Sequence, residues 1–128
     1  MELPPRDGLG RRRARVQEAL GRDALLVFGA HHAHRNGDSE YRYRQSSDLL
    51  WLTAWEDPES AALIRPGADH PFILFVQPKD RSREIWTGFR HGVDGAREIF
   101  GADAAFPWSE LGARLGELLA GWETLHYA

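Results

Sequence analysis

One stretch of this chain, Ala24-Leu25-Leu26-Val27-Phe28-Gly29-Ala30, is apolar or glycine at every position. Successive side chains of a strand point to opposite faces, so a strand with one wet face alternates apolar and polar. A strand-length run without that alternation is the pattern of a strand covered on both faces. Two further strands follow the same logic, Ala61-Ala62-Leu63-Ile64 and Pro71-Phe72-Ile73-Leu74-Phe75-Val76. The link between them, Arg65-Pro66-Gly67-Ala68-Asp69-His70, has turn chemistry and predicts a hairpin.

The remaining elements are read around this frame. Asp7 is placed to cap a helix from about Gly8 to Leu20, with Leu9, Val16 and Leu20 on one side and Gly21 as the stop. Leu49 to Ala54 reads as a strand, and Arg83 to Thr87 as another, partly exposed one. A helix is expected from about Asp94 to Phe100, ending at Gly101. Ser109 opens another, with Leu111, Leu115, Leu118 and Leu119 at helical spacing and Gly121 beyond it. Thr124 to Ala128 resembles a strand. The fold class expected is α/β, a mixed β-sheet flanked by helices.

Composition bounds the function. The 128 residues form one domain, residues 1–128, and a chain of this size buries roughly two-thirds of the surface it exposes when unfolded. Cysteine is absent, so no disulfide or thiolate metal site is available. The longest apolar runs are far shorter than the roughly 20 residues that span a bilayer, and no apolar signal core opens the chain. A cytoplasmic location and no membrane partner are expected. The net charge of −3 argues against nucleic acid as a partner. Arg11, Arg12, Arg13 and Arg15 form a basic run, read as a solvated helix face. The chain begins at a methionine but stops inside an apolar, strand-like run, so an N-terminal piece of a longer protein is expected.

No local motif amounts to an active site. The phosphate-loop and dinucleotide patterns are missing, and none of the serines sits in a Gly-x-Ser-x-Gly elbow. His31, His32 and His34 share one presumed loop without the carboxylate spacing of a hydrolytic metal site and are expected to be solvated. Asp38 and Glu40 form a close carboxylate pair that loop solvation explains equally well. The dense block is the long polar stretch from His31 to Asp48 running into Leu49-Leu50-Trp51-Leu52-Thr53. Its arginines and carboxylates, Arg35, Arg44, Asp38, Glu40 and Asp48, are close in sequence and suited to charge-assisted hydrogen bonds, with Tyr41, Tyr43 and Trp51 as anchors. Such a stretch is expected to be ordered. Two roles stay open for it, a network that pins a long connection or a substrate or subunit surface.

The block resembles the N-terminal domain of aminopeptidase P, the Xaa-Pro aminopeptidases of the creatinase and prolidase-like group. The matching segments are Arg35-Asn36-Gly37-Asp38, Tyr43-Arg44-Gln45-Ser46-Ser47-Asp48, Trp51-Leu52-Thr53-Ala54-Trp55, Asp57-Pro58-Glu59, and Glu84-Ile85-Trp86-Thr87-Gly88-Phe89-Arg90-His91-Gly92. Two departures stand out. Ala54 replaces the usual Gly and Trp55 the usual Phe, and because a Cβ disfavours positive φ, the turn at position 54 is expected to differ locally.

The resemblance implies a non-catalytic domain of an enzyme that releases the N-terminal residue from peptides with proline second. It implies two manganese ions in a C-terminal pita-bread domain, outside this chain, held by two Asp, two Glu and a His. No catalytic residue and no metal ligand then falls on this chain. Its partners are that catalytic domain, further copies in a homo-oligomer (dimer or tetramer), and a proline-containing peptide. Trp86, Asp38 and Tyr41 are the residues expected to reach substrate in trans, at an oligomer interface. Strand alternation gives Ile85 to the core and leaves Trp86 facing outward. Arg35, Arg44 and Asp48 are expected to form a structural polar network. The rival reading is a stand-alone interaction module that kept the fold without peptidase activity.

Overall fold

The computed structural model describes residues 6–30, 45–79 and 91–128. The sequence places Arg35, Asp38, Tyr41, Arg44 and Trp86, the histidines at 31, 32 and 34, the ordering expected of the polar stretch through residue 44, and the strand expected at 83–87 outside those residues.

Helix α1 (Arg6–Leu20) leads to β1 (Ala24–Phe28), then α2 (Ser47–Thr53), β2 (Ala61–Ile64), β3 (Phe72–Val76), α3 (Gly92–Glu98) and β4 (Ala104–Pro107). A 3-10 turn (Trp108–Glu110), α4 (Leu111–Leu118) and β5 (Leu125–Tyr127) complete the order. The five strands among the described residues form one mixed sheet, β4-β3-β2-β1-β5. Strand β2 pairs antiparallel with both β1 and β3, as the hairpin reading of β2 and β3 requires, while β4 and β5 add parallel edges to β3 and β1. The α/β class with a mixed sheet is therefore what the chain adopts.

Every residue of β2 and β3 is buried. Alternate residues go to opposite faces. Val27, Ala62, Ile64, Phe72, Leu74 and Val76 meet α1, α2 and α3 through Leu9, Leu49, Leu52 and Ala96, with Phe100 just beyond α3. Leu26, Ala61, Leu63, Ile73 and Phe75 meet Phe106, Trp108 and the leucines of α4. The continuous apolar runs thus mark a sheet with helices on both faces.

Four sequence expectations change. The stretch from Leu49 to Ala54 is a helix, not a strand. A short apolar run is ambiguous between the two, and here the start signal decides. Ser46 accepts a hydrogen bond from the Leu49 N–H through Oγ at 3.4 Å, and Asp48 sits in the first turn, where a carboxylate favours the helix dipole. Leu49, Leu52 and Thr53 then fall on one buried face. Residue 7 lies inside α1 and does not cap it from outside. Residues 104–107, unassigned by the sequence, form edge strand β4, and α3 begins at Gly92, two residues before the expected start.

The fourth change concerns the basic run, which is only partly a solvated face. Arg12 donates from Nη1 to the carbonyl of Trp51 at 2.9 Å, and Arg13 to that of Leu52 at 3.1 Å. Both carbonyls belong to the last turn of α2, which has no basic residue of its own there. Two cations of α1 therefore cap the carboxyl end of α2. The Arg13 guanidinium also lies 4.2 Å above the Phe72 ring. Burial lowers the Arg13 pKa from its ordinary value, and the Asp103 carboxylate opposes that shift. Asp103 in turn accepts the Phe72 N–H at 2.9 Å.

Ala54 closes α2 in the left-handed region, φ 64° and ψ 7°, donating its N–H to the Leu50 carbonyl at 2.9 Å. The chain keeps the turn that glycine would favour and carries the Cβ through it, so the local difference expected from Ala54 is one of strain and not of conformation. An L-residue in this region costs roughly 1–2 kcal/mol, more than the extra unfolded-state freedom that glycine brings. Ala54→Gly should therefore raise stability by about 0.5–1 kcal/mol. Urea unfolding of the two proteins, with an unchanged slope and a higher midpoint for the variant, checks this.

Candidate functional site

Strands β1, β3, β4 and β5 run in one direction and β2 in the other. The carboxyl ends of four strands therefore gather at one end of the sheet, where β2 begins. In open α/β sheets, ligands bind outside the carboxyl ends of the strands. Both stretches that carry the sequence-nominated residues depart from this end, residues 31–44 after β1 and residues 80–90 after β3.

A buried amide organises it. Gln45 is 6% exposed. Its Oε1 accepts the Ala30 N–H at 2.7 Å and the Ser46 N–H at 2.9 Å. Its Nε2 donates to the Asp57 carbonyl at 2.8 Å and, at a longer 3.5 Å, to Ser60 Oγ. The Ser60 hydroxyl donates onward to the same Asp57 carbonyl at 3.0 Å. One side chain thus joins the end of β1, the start of α2 and the turn before β2. The Gly29 N–H extends the β1–β2 ladder to the Ser60 carbonyl, and Glu59 (φ 52°) accepts from Gln77 beyond β3.

Gly29 is what lets these groups converge. A Cβ there would lie 2.5 Å from Ser60 Oγ, 3.0 Å from Gln45 Oε1 and 3.0 Å from Leu49 Cδ2.

Next to the hub, Trp55 is fully buried. Its ring meets Phe100 edge-on at 4.8 Å between centroids, and His91 at 5.8 Å; His91 and Phe100 are 5.0 Å apart. The Trp55 indole N–H has no acceptor among the described residues. Trp55 is therefore a core residue, the larger counterpart of the phenylalanine usual there. Gly95 lets His91 pack closely, since a Cβ would approach the His91 Cβ to 2.8 Å. Beside His91 lies a shallow cleft of about 240 Å³ lined by Pro78, Lys79, Gly92, Val93 and Asp94.

Of the nominated residues, only Asp48 lies in the described part, exposed in the first turn of α2. Among the described residues, no three His, Cys, Asp or Glu side chains converge to hold a metal ion. No helix among them is long and apolar enough to cross a membrane. The arrangement offers a rigid polar floor and an aromatic wall, groups that position chain segments. Gln45, Ser60 and Gly29 were not singled out by residue type. Their signal was positional, a glutamine just before a helix cap and a small residue at the end of an otherwise bulky strand.

The family model of the aminopeptidase P N-terminal domain matches residues 9–126. The chain belongs to that family. It is 38% identical to the Xaa-Pro aminopeptidase of Escherichia coli K12 over 120 residues, 92% of this chain and 27% of that protein. The structure of Pseudomonas aeruginosa aminopeptidase PepP superposes on all of this chain with a TM-score of 0.92 at 35% identity, using 29% of its own length. Zinc-substituted E. coli aminopeptidase P in complex with product matches 97% of this chain with a TM-score of 0.87 at 35% identity, again over 29% of its length. The chain thus spans less than a third of these relatives. As an aminopeptidase P N-terminal domain, it has the fold its polar block implied.

The convergence at Gly29 is directly testable. Gly29→Ala should cost about 1–3 kcal/mol by overpacking. The same substitution made on a Ser60→Ala background, where the nearest contact is gone, should cost measurably less. A double-mutant cycle by urea unfolding gives the coupling.

Proposed function

We propose that this chain is the non-catalytic N-terminal domain of a dinuclear-metal Xaa-Pro aminopeptidase, and that it serves oligomerisation and the shaping of the substrate entrance. The observation that carries this reading is the match of the family model across nearly the whole chain, in relatives named for Xaa-Pro aminopeptidase activity. The sheet topology supports it, because both stretches bearing the nominated residues depart from one end.

In this reading Trp86, Asp38 and Tyr41 border the entrance of a neighbouring subunit's active site, and a flat indole suits a proline ring. Arg35, Arg44 and Asp48 hold that border through charge-assisted hydrogen bonds. Two manganese ions belong to the catalytic domain beyond this chain, where such a pair lowers the pKa of bound water and clamps the attacking and leaving groups. The present domain adds binding and exclusion: it narrows access so that only a free chain end enters. The assembled enzyme is a cytoplasmic dimer or tetramer.

Two measurements check this. The isolated chain should release no residue from an Xaa-Pro peptide with or without manganese, whereas the full-length protein should do so and lose activity on chelation. Trp86→Ala in the full-length protein should lower kcat/KM on longer peptides by about threefold to tenfold, with metal content unchanged. Wild-type kinetics in that variant would remove Trp86 from the entrance. A full-length protein with no metal-dependent release would favour the stand-alone interaction module.

A further inference from the structure

On the face of the sheet that α4 covers, burial fades towards one corner. Strand register sets Phe28 beside Ala61 and Ala61 beside Phe75, and in the next row Tyr127, Leu26, Leu63 and Ile73 lie side by side. Leu125, beside Ala24, shares the face of Tyr127, because residues two apart on a strand point the same way. Phe75, Ala61, Ile73 and Leu63 are fully buried and Leu26 nearly so, whereas Phe28 is 38% exposed, Leu125 38% and Tyr127 77%. The leucines of α4 pack over the cluster that ends at Leu26. The other face of β5 is polar, for His126 lies beside Leu25 with its Nε2 3.0 Å from the Asp23 carboxylate. Polar groups can be left to water. What is bare is one apolar corner, formed by the end of β1 and the whole of β5.

We propose that this corner is the docking surface for a helix supplied by the segment that follows residue 128 in the full-length protein. That such a segment exists rests on the functional reading above, and the matched relatives agree with it, since this chain spans 27% of one and 29% of another. Patch size favours a tethered cover over a second copy. Three partly exposed side chains of at most roughly 200 Å² each fall well short of the about 800 Å² that each partner gives to a specific interface. A tethered element needs less area, because attachment supplies a high effective concentration. The exit point favours it too. The Phe28 N–H donates to the Ala128 carbonyl at 2.8 Å, and the Ala128 N–H donates to the Leu26 carbonyl at 3.0 Å. A segment continuing from residue 128 therefore leaves from the border of the patch. A helix suits the place, since the bare side chains project from the sheet face and not along its edge, and helices cover the rest of both faces.

The test places a photo-cross-linker in the full-length protein at two exposed positions, so that folding is not at stake. Irradiation of Tyr127→p-benzoylphenylalanine should give a product of monomer mass in which position 127 is joined to a residue beyond 128. Leu125→p-benzoylphenylalanine should join the same segment, at sites spaced about three or four residues apart, as one helix face requires. Sites at every second residue would make the cover a strand and overturn the helix. A covalent dimer, carrying both isotopes when nitrogen-14 and nitrogen-15 copies are mixed, would make the occupant a second copy and overturn the proposal. So would the absence of any product at both positions. Peptidase activity plays no part in these readouts. A full-length protein that cross-links as expected but releases nothing from an Xaa-Pro peptide removes the functional reading and keeps the docked helix, whereas an active enzyme that cross-links between copies does the reverse.

Discussion

The burial of both faces of the β2–β3 hairpin is the constraint on which the rest depends. With all of Ala61–Ile64 and Phe72–Val76 hidden from solvent, neither face can be left to water. One face needs α1, α2 and α3, the other needs α4 with Phe106 and Trp108. Desolvating this much apolar side chain is the largest favourable term available to a cysteine-free chain of this size. The connections fit the mixed sheet: a short link, residues 65–71, joins antiparallel β2 and β3, whereas α3 carries the chain from β3 to its parallel neighbour β4.

Placing helices against a fully apolar sheet creates a second problem, the polar ends of those helices. The described part solves it with long-range partners. Arg12 and Arg13, 39 positions away, meet the last carbonyls of α2. Gln45 accepts from the Ala30 amide just beyond β1 and donates to the Asp57 carbonyl in the turn before β2. The Asp103 carboxylate meets the first amide of β3 and also faces Arg13. Each of these polar groups sits at the rim of the apolar layers, where an unpaired donor or acceptor would be costly. The rim at the carboxyl end of the sheet is also where the nominated stretches depart. Of these hydrogen bonds, those of Gln45 lie there, just beyond the carboxyl end of β1.

Much of the fold was legible from local pattern. The three apolar runs, the Pro66-Gly67 turn, the leucine spacing of α4 and the glycine stops after α1 and α4 all describe what a residue does with neighbours a few positions away. Gly21, for instance, takes φ 62° and donates to the Gln17 carbonyl, as a helix-ending glycine should. Family membership was legible for a different reason: a long ordered run of residue types, from Arg35 through Glu59 and again from Glu84 to Gly92, is specific as text even where no single residue explains itself.

What the sequence determined by itself was the layered α/β class, the apolar strands and the family, because periodicity and ordered motif are properties of adjacent residues. The tertiary structure alone decided the rest. It made Leu49–Thr53 a helix, since a face of Leu49, Leu52 and Thr53 could be buried against the sheet. It drew Arg12 and Arg13 out of an apparently solvated run, since α2 ended within their reach. It held Ala54 at positive φ, since the packing of α2 against the core outweighs the local strain of a Cβ in that turn. It made Gln45 a hub, since its partners at positions 30, 57 and 60 become neighbours only once β1 and β2 have paired. Each outcome depends on a contact between residues far apart in the chain, and local residue preference carries no information about such a contact.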